Sequence, residues 1–564
     1  MDALRIIIVG GVAAGPKAAA KITRLAPDAD VTIIEKGVFL SYAGCGLPYY
    51  VSGVVPDQAD LMSTPAGALR DEVFFLNVKN VHVHNRTLVT EIDREGRRVR
   101  ARDMQSGDER WLPYDRLILA TGAEPVEPKV PGRELANVLT LHGVEDAEHM
   151  KELLARHTAP DVVIVGGGLI GVEITEALVS SGCRVTIVER LPQILSPLDE
   201  EMAWHVAAHM KTRGVKVLTG ATVTALRPAS DDAARVGTVE TTSGTIAADM
   251  VVVAVGVRPN VELAKACGLA IGETGAIAVD DHLRTSDPTV FAVGDCAQSK
   301  HLVTGQPAYV PLGSTANKQG RVAAINATGG DDTFPGVLGT SICRVFDFNV
   351  AVTGLTQREA ENLGYDVEVA LTPAPDKPHF MPSARLLMLK TVSDRATRRL
   401  LGMQALGPGD AARAVDVAAM ALHAGMSMDD LSKADLAYAP PYSPAMDNVI
   451  TASDVVRNKM DGIAVGMSPV EVKRKIDAGE PLLLLDVRSP AEVRQVAIPG
   501  AVNIPLGVLR ERLHELPRDR EIVCFCKISL RGYEAALIAC AAGCDAKFLD
   551  GGVAMWPYER VATS

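Results

Sequence analysis

Cys45 is a lone thiol. In Ser41-Tyr-Ala-Gly-Cys45-Gly-Leu-Pro-Tyr-Tyr50 no second cysteine follows until Cys183, whereas an internal dithiol needs a resolving cysteine about one helical turn away. A disulfide at Cys45 therefore takes its second sulfur from a substrate or from a small-thiol adduct. The flanking glycines and Pro48 read as an exposed turn at a helix start, a place where a thiolate is favoured. A second thiol of interest, Cys526, is delivered by the strand-like run Ile522 to Phe525 and is followed by Lys527-Ile-Ser-Leu-Arg531-Gly-Tyr, which opens a helix. Cys524 shares its strand face and reads as a buried strand residue.

The elements that must position Cys45 begin with Arg5 to Gly15. This stretch reads as strand, glycine turn and an alanine-rich helix through Leu25, before a second strand from Val31 to Ile34 that ends in Glu35. In such a βαβ unit Gly10 permits the tight turn, Gly15 permits close helix packing, and Glu35 can accept from ribose hydroxyls while the helix N-terminus faces a pyrophosphate. Val12 replaces the usual middle glycine. A fuller copy follows: Val162 to Val165 leads into Gly166-Gly-Gly168-Leu-Ile-Gly171, a helix carrying Glu173, and a strand from Arg184 to Val188 that ends in Glu189. Two such units imply two dinucleotides. Glu189 favours NADH, while Arg190 beside it leaves NADPH open.

With Ala120-Thr121-Gly122 and Thr285-Ser-Asp-Pro-Thr-Val-Phe-Ala-Val-Gly-Asp295 added, the chain resembles the flavin-dependent pyridine nucleotide-disulfide oxidoreductases. The resemblance implies that Thr121, Gly122 and Asp295 contact FAD, with Asp295 matching the flavin-ribityl carboxylate and also expected to cap a helix. It implies an FAD-binding domain from residues 1–120 plus 265–325 and an NAD(P)H-binding domain from 121–264. The motif around Cys45 resembles the single-cysteine branch, which includes coenzyme A-disulfide reductases, NADH oxidases and NADH peroxidases; Cys45 is then the redox thiol, with Ser41 among the substrate contacts. Oxidases and peroxidases of this branch carry a histidine on the first flavin helix, but none occurs here before His82, which steers the reading towards thiol substrates. Lys17, Lys21 and Arg24 on or near that helix are candidates for binding coenzyme A phosphates.

Residues 326–450 resemble the family's dimerisation domain, which implies a homodimer in which Tyr438 reaches the active site of the other subunit. A second tyrosine of the family is missing, because His379-Phe-Met-Pro-Ser-Ala384 stands in its place. The missing phenol suggests a different leaving group or a different acid, with His379 as a candidate. A short connection, 451–467, leads through the helix start Ser468-Pro-Val-Glu to a module over 468–564 that resembles a rhodanese. There Cys526 starts a C-x4-R loop closed by Arg531, and Lys527 adds a cation to the backbone N–H groups that stabilise a thiolate or persulfide.

The expected fold class is α/β: two Rossmann-like nucleotide-binding domains, an α+β dimerisation domain and a C-terminal rhodanese α/β domain. The whole resembles a coenzyme A-disulfide reductase/rhodanese fusion. That implies FAD-dependent, NAD(P)H-linked reduction of persulfides, polysulfides or coenzyme A disulfide through a Cys45 mixed disulfide, with coenzyme A a possible bound thiol and Cys526 relaying sulfane sulfur. An NADH oxidase, or a sulfurtransferase on a flavoprotein platform, are the alternatives. A net charge of -12 over 564 residues argues against nucleic acid or an anionic membrane as partner. The lack of a leader pattern or membrane-length apolar run points to the cytoplasm. The nine cysteines have no framework spacing, and no metal site is expected.

Overall fold

A computed structural model describes residues 3–156 and 158–562. The chain folds into two compact units: Met1–Pro192 with Gly214–Val337, and Gln193–Arg213 with Leu338–Ser564.

The first unit holds two parallel five-stranded sheets. One runs Val290–Ala292, Arg116–Leu119, Arg5–Val9, Asp30–Ile34, Val81–His84 in spatial order; the other runs Lys216–Leu218, Arg184–Val188, Asp161–Val165, Met250–Val253, Val138–Leu139. Near-continuous apolar runs such as Ile6-Ile7-Ile8-Val9 suit strands covered on both faces. Each sheet receives its first helix where the sequence places it: Ala14–Leu25 after the first glycine turn and Leu169–Ser180 after the second. A short ribbon pairs Ala123–Pro125 with Val257–Pro259, and beside it Thr121 and Asn260 exchange hydrogen bonds through Thr121 Oγ1 and Asn260 Nδ2.

The second unit contains a five-stranded antiparallel sheet and a parallel one. The antiparallel sheet orders Ser341–Val345, Phe348–Gly354, Leu400–Gly407, Leu386–Asp394, Val367–Pro375. Helix Ala411–Ala424 packs on it, capped by Asp410, whose side chain accepts from the Arg413 N–H. The parallel sheet orders Gly466–Met467, Ala546–Leu549, Glu521–Phe525, Leu482–Asp486, Val502–Asn503.

Two local expectations change. The connection read over 451–467 is helical through Met460: Asn448–Met460 is a helix capped by Asp447, which buries Val449, Ile450, Ala452, Ser453 and Val456. Those positions share one face at spacings of three and four, and burial of that stripe overrides the poor helix propensity of the β-branched residues. Asp295 caps no helix; it sits in a short 3-10 turn, Gly294–Cys296, and the long helix begins only at Gly313.

Lys390, on the strand Leu386–Asp394, is buried to 1% exposure. Its ammonium meets Glu201 Oε1 at 2.5 Å, Asp199 Oδ2 at 3.0 Å and Gln357 Oε1 at 2.8 Å. Both carboxylates bracket the start of helix Glu200–Thr212, which this lysine thereby fastens to the antiparallel sheet. Removing one partner of a buried pair leaves an uncompensated charge, so Lys390→Met should destabilise the second unit by about 3–5 kcal/mol. Denaturant unfolding followed by circular dichroism measures this, and a loss below about 1 kcal/mol would show that the carboxylates find other partners.

Candidate functional site

The two glycine turns are built for close backbone approach. At Gly10, with φ of +118°, a Cβ would lie 2.0 Å from the Ala120 carbonyl oxygen, and at Gly15 it would lie 1.9 Å from that of Gly10. The second turn repeats this, with Cβ positions 2.3 Å from Ala254 O at Gly166 and 2.1 Å from Gly166 O at Gly171. Gly168 caps helix Leu169–Ser180 without a side-chain bond, helix Ala14–Leu25 likewise lacks a side-chain cap, and neither carries an acid in its first turn. Their terminal N–H groups are thus left for an anion, and such termini suit a pyrophosphate. Glu35 accepts from the N–H of Gly11 at 2.6 Å and of Gly37 at 2.7 Å, and Glu189 from those of Gly167 and Leu191, both at 2.7 Å. Each carboxylate is therefore clamped where its strand ends. These features fit two dinucleotides.

Cys45 lies in the 3-10 turn Gly44–Gly46, immediately before the short helix Leu47–Val51. The residue is exposed, and the Ser41 N–H donates to Gly11 O at 2.8 Å, which ties the motif to the first glycine turn. A Cβ on Gly313 would lie 4.0 Å from Cys45 Sγ, so the sulfur faces the N-terminus of the fifteen-residue helix Gly313–Ala327. Contrary to the favoured thiolate read from the sequence, the thiol is pushed up, first by desolvation from the protein around the sulfur and then by the carboxylates of Glu173 and Asp295. Glu173 is itself raised to about 7 by burial and by Glu176, and Asp295 to about 6 by burial. The sequence placed Glu173 on its helix without a role; only the fold, which turns that helix towards Cys45, shows one.

Asp295 is held by its backbone. The Gly294 N–H donates to Gln319 Oε1 at 2.7 Å and Tyr309 Oη donates to Asp295 O at 3.0 Å. Cys296, its neighbour, is buried, with Sγ within reach of the Leu119 and Val293 carbonyls, and it offers Cys45 no resolving thiol. Lys17 and Arg24 are exposed and Lys21 is half-buried along helix Ala14–Leu25. None of the three forms an ion pair among the described residues.

In the second unit Cys526 is 1% exposed, at the end of strand Glu521–Phe525. Its carbonyl accepts from Val553 N and that of Lys527 from Ala554 N, both at 2.9 Å. Ser529 holds φ of +84° and ψ of -45°, a strained conformation for a side chain-bearing residue, at the start of helix Leu530–Ala541. Arg531 is fixed in bidentate fashion by Glu492 at 2.9 and 2.7 Å, and both Glu492 and Cys526 help hold the guanidinium charged. The same Glu492 completes a capping box with Ser489, and its carboxyl is pulled down to about 2, chiefly by Arg531. Ser489-Pro-Ala-Glu492 is a readable capping signature, though its partnership with Arg531 depends on the fold. Lys527 is exposed, Cys524 is fully buried, and Tyr438 is exposed, as is His379.

Residues 4–320 match the pyridine nucleotide-disulphide oxidoreductase model, 340–450 the dimerisation domain of the same family, and 468–558 the rhodanese-like domain. The chain is 38% identical over 466 residues to an NAD(P)H sulfur oxidoreductase (CoA-dependent) of Pyrococcus furiosus, covering 81% of this chain and all of that protein. Among solved structures, a NAD-dependent persulfide reductase from A. fulgidus has 42% identity and a TM-score of 0.93, covering 98% of this chain and 100% of that one. Reduced Bacillus anthracis CoADR-RHD has 34% identity and a TM-score of 0.91, covering 99% and 98%. A match of this length, over glycine turns that fit two dinucleotides, establishes that the chain belongs to the FAD- and NAD(P)H-dependent pyridine nucleotide-disulphide oxidoreductase family and carries a rhodanese-like domain at its C-terminal end.

Proposed function

We propose that the protein is an NAD(P)H-dependent reductase of persulfides, polysulfides or coenzyme A disulfide that works through a mixed disulfide at Cys45, with Cys526 carrying sulfane sulfur. The observation that carries this reading is an exposed cysteine facing a helix N-terminus, with no resolving thiol in its own motif. The names of its relatives support the same substrate class.

FAD, when bound, supplies the passage of two electrons from the nicotinamide cofactor to a disulfide at Cys45. The chain's residues do the rest. Gly10, Gly15 and Glu35 seat the flavin nucleotide with Thr121, Gly122 and Asp295; Gly166, Gly168, Gly171 and Glu189 seat the nicotinamide nucleotide. The Cys45 thiolate attacks the inner sulfur of a persulfide such as that of coenzyme A. A sulfur–sulfur bond forms to the coenzyme A sulfur as hydrosulfide leaves. Two electrons from NADH and one proton then return Cys45 to thiolate and release the free thiol of coenzyme A, so that one NADH is oxidised per hydrosulfide formed. Hydrosulfide leaves readily near neutral pH, which fits the absence of a phenol at His379-Phe-Met. Lys17, Lys21, Arg24 and Ser41 are the residues we assign to the coenzyme A moiety.

Cys526 takes sulfane sulfur within the loop closed by Arg531, and Lys527 offers an exposed cation to incoming anionic sulfur donors. The dimerisation domain supports a homodimer, and we assign Tyr438 to the partner's site. Nine unpaired cysteines fit a reducing compartment, the cytoplasm. Among the described residues no helix is long and apolar enough to cross a membrane.

Two measurements test this scheme. Cys45→Ser should keep bleaching of the flavin by NADH yet lose hydrosulfide release from coenzyme A persulfide by at least ~1,000-fold, the scale seen on deleting a covalent nucleophile. Cys526→Ser should retain that reaction within about 3-fold while losing thiosulfate-to-cyanide transfer. Unimpaired turnover in the first variant, or equal losses on every substrate in the second, overturns the assignment. A pH experiment addresses Glu173. Its negative charge disfavours a thiolate beside it, so Glu173→Gln should shift the alkylation profile of reduced Cys45 to lower pH, and a shift upward would show that Glu173 acts as a hydrogen-bond partner of the thiolate instead.

A further inference from the structure

We propose that Lys459 is a positioning residue for the sulfur-carrying loop: from outside the rhodanese-like domain it holds the turn that pins Cys526. The inference rests on Cys526 being the sulfur carrier.

Lys459 lies in the last turn of helix Asn448–Met460, nine residues before the rhodanese-like domain begins at 468. Its ammonium, with a side chain 7% exposed, has three donors and meets three acceptors: Asp550 Oδ2 at 2.8 Å, Glu368 Oε1 at 3.0 Å and the Val369 carbonyl. Glu368 and Val369 belong to the strand Val367–Pro375 of the antiparallel sheet, while Asp550 belongs to the rhodanese-like domain. One cation therefore joins two bodies of the second unit.

Asp550 depends on that cation. Its side chain is 2% exposed, and Oδ1 has no hydrogen-bond partner among the described residues. It fits against Gly466 only because no side chain is there: a Cβ on Gly466 would lie 2.7 Å from Oδ1. Burial raises the carboxyl to about 6 even with Lys459 beside it. Without Lys459 the carboxylate would be a buried charge with no ion-pair partner, a state that moves or neutralises rather than persists.

From Asp550 the path to the sulfur is short. The next residues, Gly551 and Gly552, hold φ of +73° and +56°, and a Cβ on Gly552 would lie 2.4 Å from the Cys526 carbonyl oxygen. The two following N–H groups, of Val553 and Ala554, are those that bond the Cys526 and Lys527 carbonyls. The turn also rests on the antiparallel sheet, since a Cβ on Gly551 would lie 3.4 Å from Leu371 Cβ. Displacing Asp550 thus displaces the donors that fix the peptide of the sulfur-bearing residue. A misplacement of about 1 Å can cost a reaction ~100-fold.

The test uses the full-length holoprotein. Lys459→Met should raise the iodoacetamide alkylation rate of Cys526, now almost fully buried, by ~10-fold or more and lower thiosulfate-to-cyanide transfer by ~10-fold or more. NADH-driven coenzyme A disulfide reduction at Cys45 should stay within about 2-fold, and Lys459→Arg should hold both Cys526 readouts within about 3-fold of wild type. A folded Lys459→Met protein with wild-type alkylation and transfer overturns the proposal. So does an equal fall in the Cys45 reaction, because that would mark a general loss of fold. If Lys459→Met does not fold, Asp550→Ala replaces it: this removes the side chain through which Lys459 holds the turn. A rise in Cys526 alkylation of about 3-fold or more supports the proposal, and a wild-type rate overturns it. Absence of transfer in the wild type would count against Cys526 as carrier, while the alkylation readout would still decide the role of Lys459.

Discussion

The first unit depends on a steric constraint, the contact of backbone on backbone at the turn from Gly10 to Gly15. Gly15 lies against the Gly10 carbonyl and Gly10 against that of Ala120. Gly11 gives its N–H to Glu35 and takes the Ser41 N–H on its carbonyl, so one residue fixes both the acid that ends the second strand and the segment that carries Cys45. Helix Gly313–Ala327 closes on the same place, since a Cβ on Gly320 would lie 2.5 Å from Ala14 O. Its Gln319 then holds the turn of Asp295. A methyl group at any of these glycines forces strands and helix apart, and Cys45 moves with them.

The electrostatics at Cys45 are a contest with a clear order. A helix N-terminus favours an adjacent anion by about 0.3–1 kcal/mol. Removal of the sulfur from water and the nearby carboxylates of Glu173 and Asp295 act in the opposite direction. Desolvation, the larger cause, and the charges of Glu173 and Asp295 together outweigh the helix, and the thiol is pushed up. Burial raises both acids as well, with Glu176 adding to the rise at Glu173, so all three groups are pushed towards their neutral forms. A reaction that passes negative charge through the sulfur is therefore coupled to the protonation of its two neighbours.

What the sequence disclosed and what it withheld divide along the range of the interactions. The strand–turn–helix units around Gly10 and Gly166 were legible because glycine spacing and apolar runs are local. So were the Ser468 cap and the strand that delivers Cys526. Glu173 was not, because its meaning comes from Cys45, which lies far away in sequence beyond the first βαβ unit. The helix Asn448–Met460 was hidden by weak propensity: Val449, Ile450, Thr451, Val455 and Val456 are all β-branched, and the burial that overrides them comes from strands far away in sequence. Lys459 gave no local sign, and Asp550-Gly-Gly552, though legible as part of the rhodanese resemblance, gave none of its pairing with Lys459.

The two buried lysines of the second unit share one logic. Lys390 and Lys459 each bridge two carboxylates, Asp199 with Glu201 and Glu368 with Asp550. Desolvating such charges costs about as much as their attraction returns, and apolar side chains of the same size often do as well or better for stability alone. Their consequence is geometric. An apolar contact tolerates sliding, whereas an ammonium with three fixed acceptors accepts one position. Lys390 uses that property to hold helix Glu200–Thr212 on the antiparallel sheet, and Lys459 uses it to hold the Asp550 turn there. Two elements distant in sequence thus meet one sheet at defined places, which is what a domain needs if the orientation of its sulfur is to be set by residues outside it.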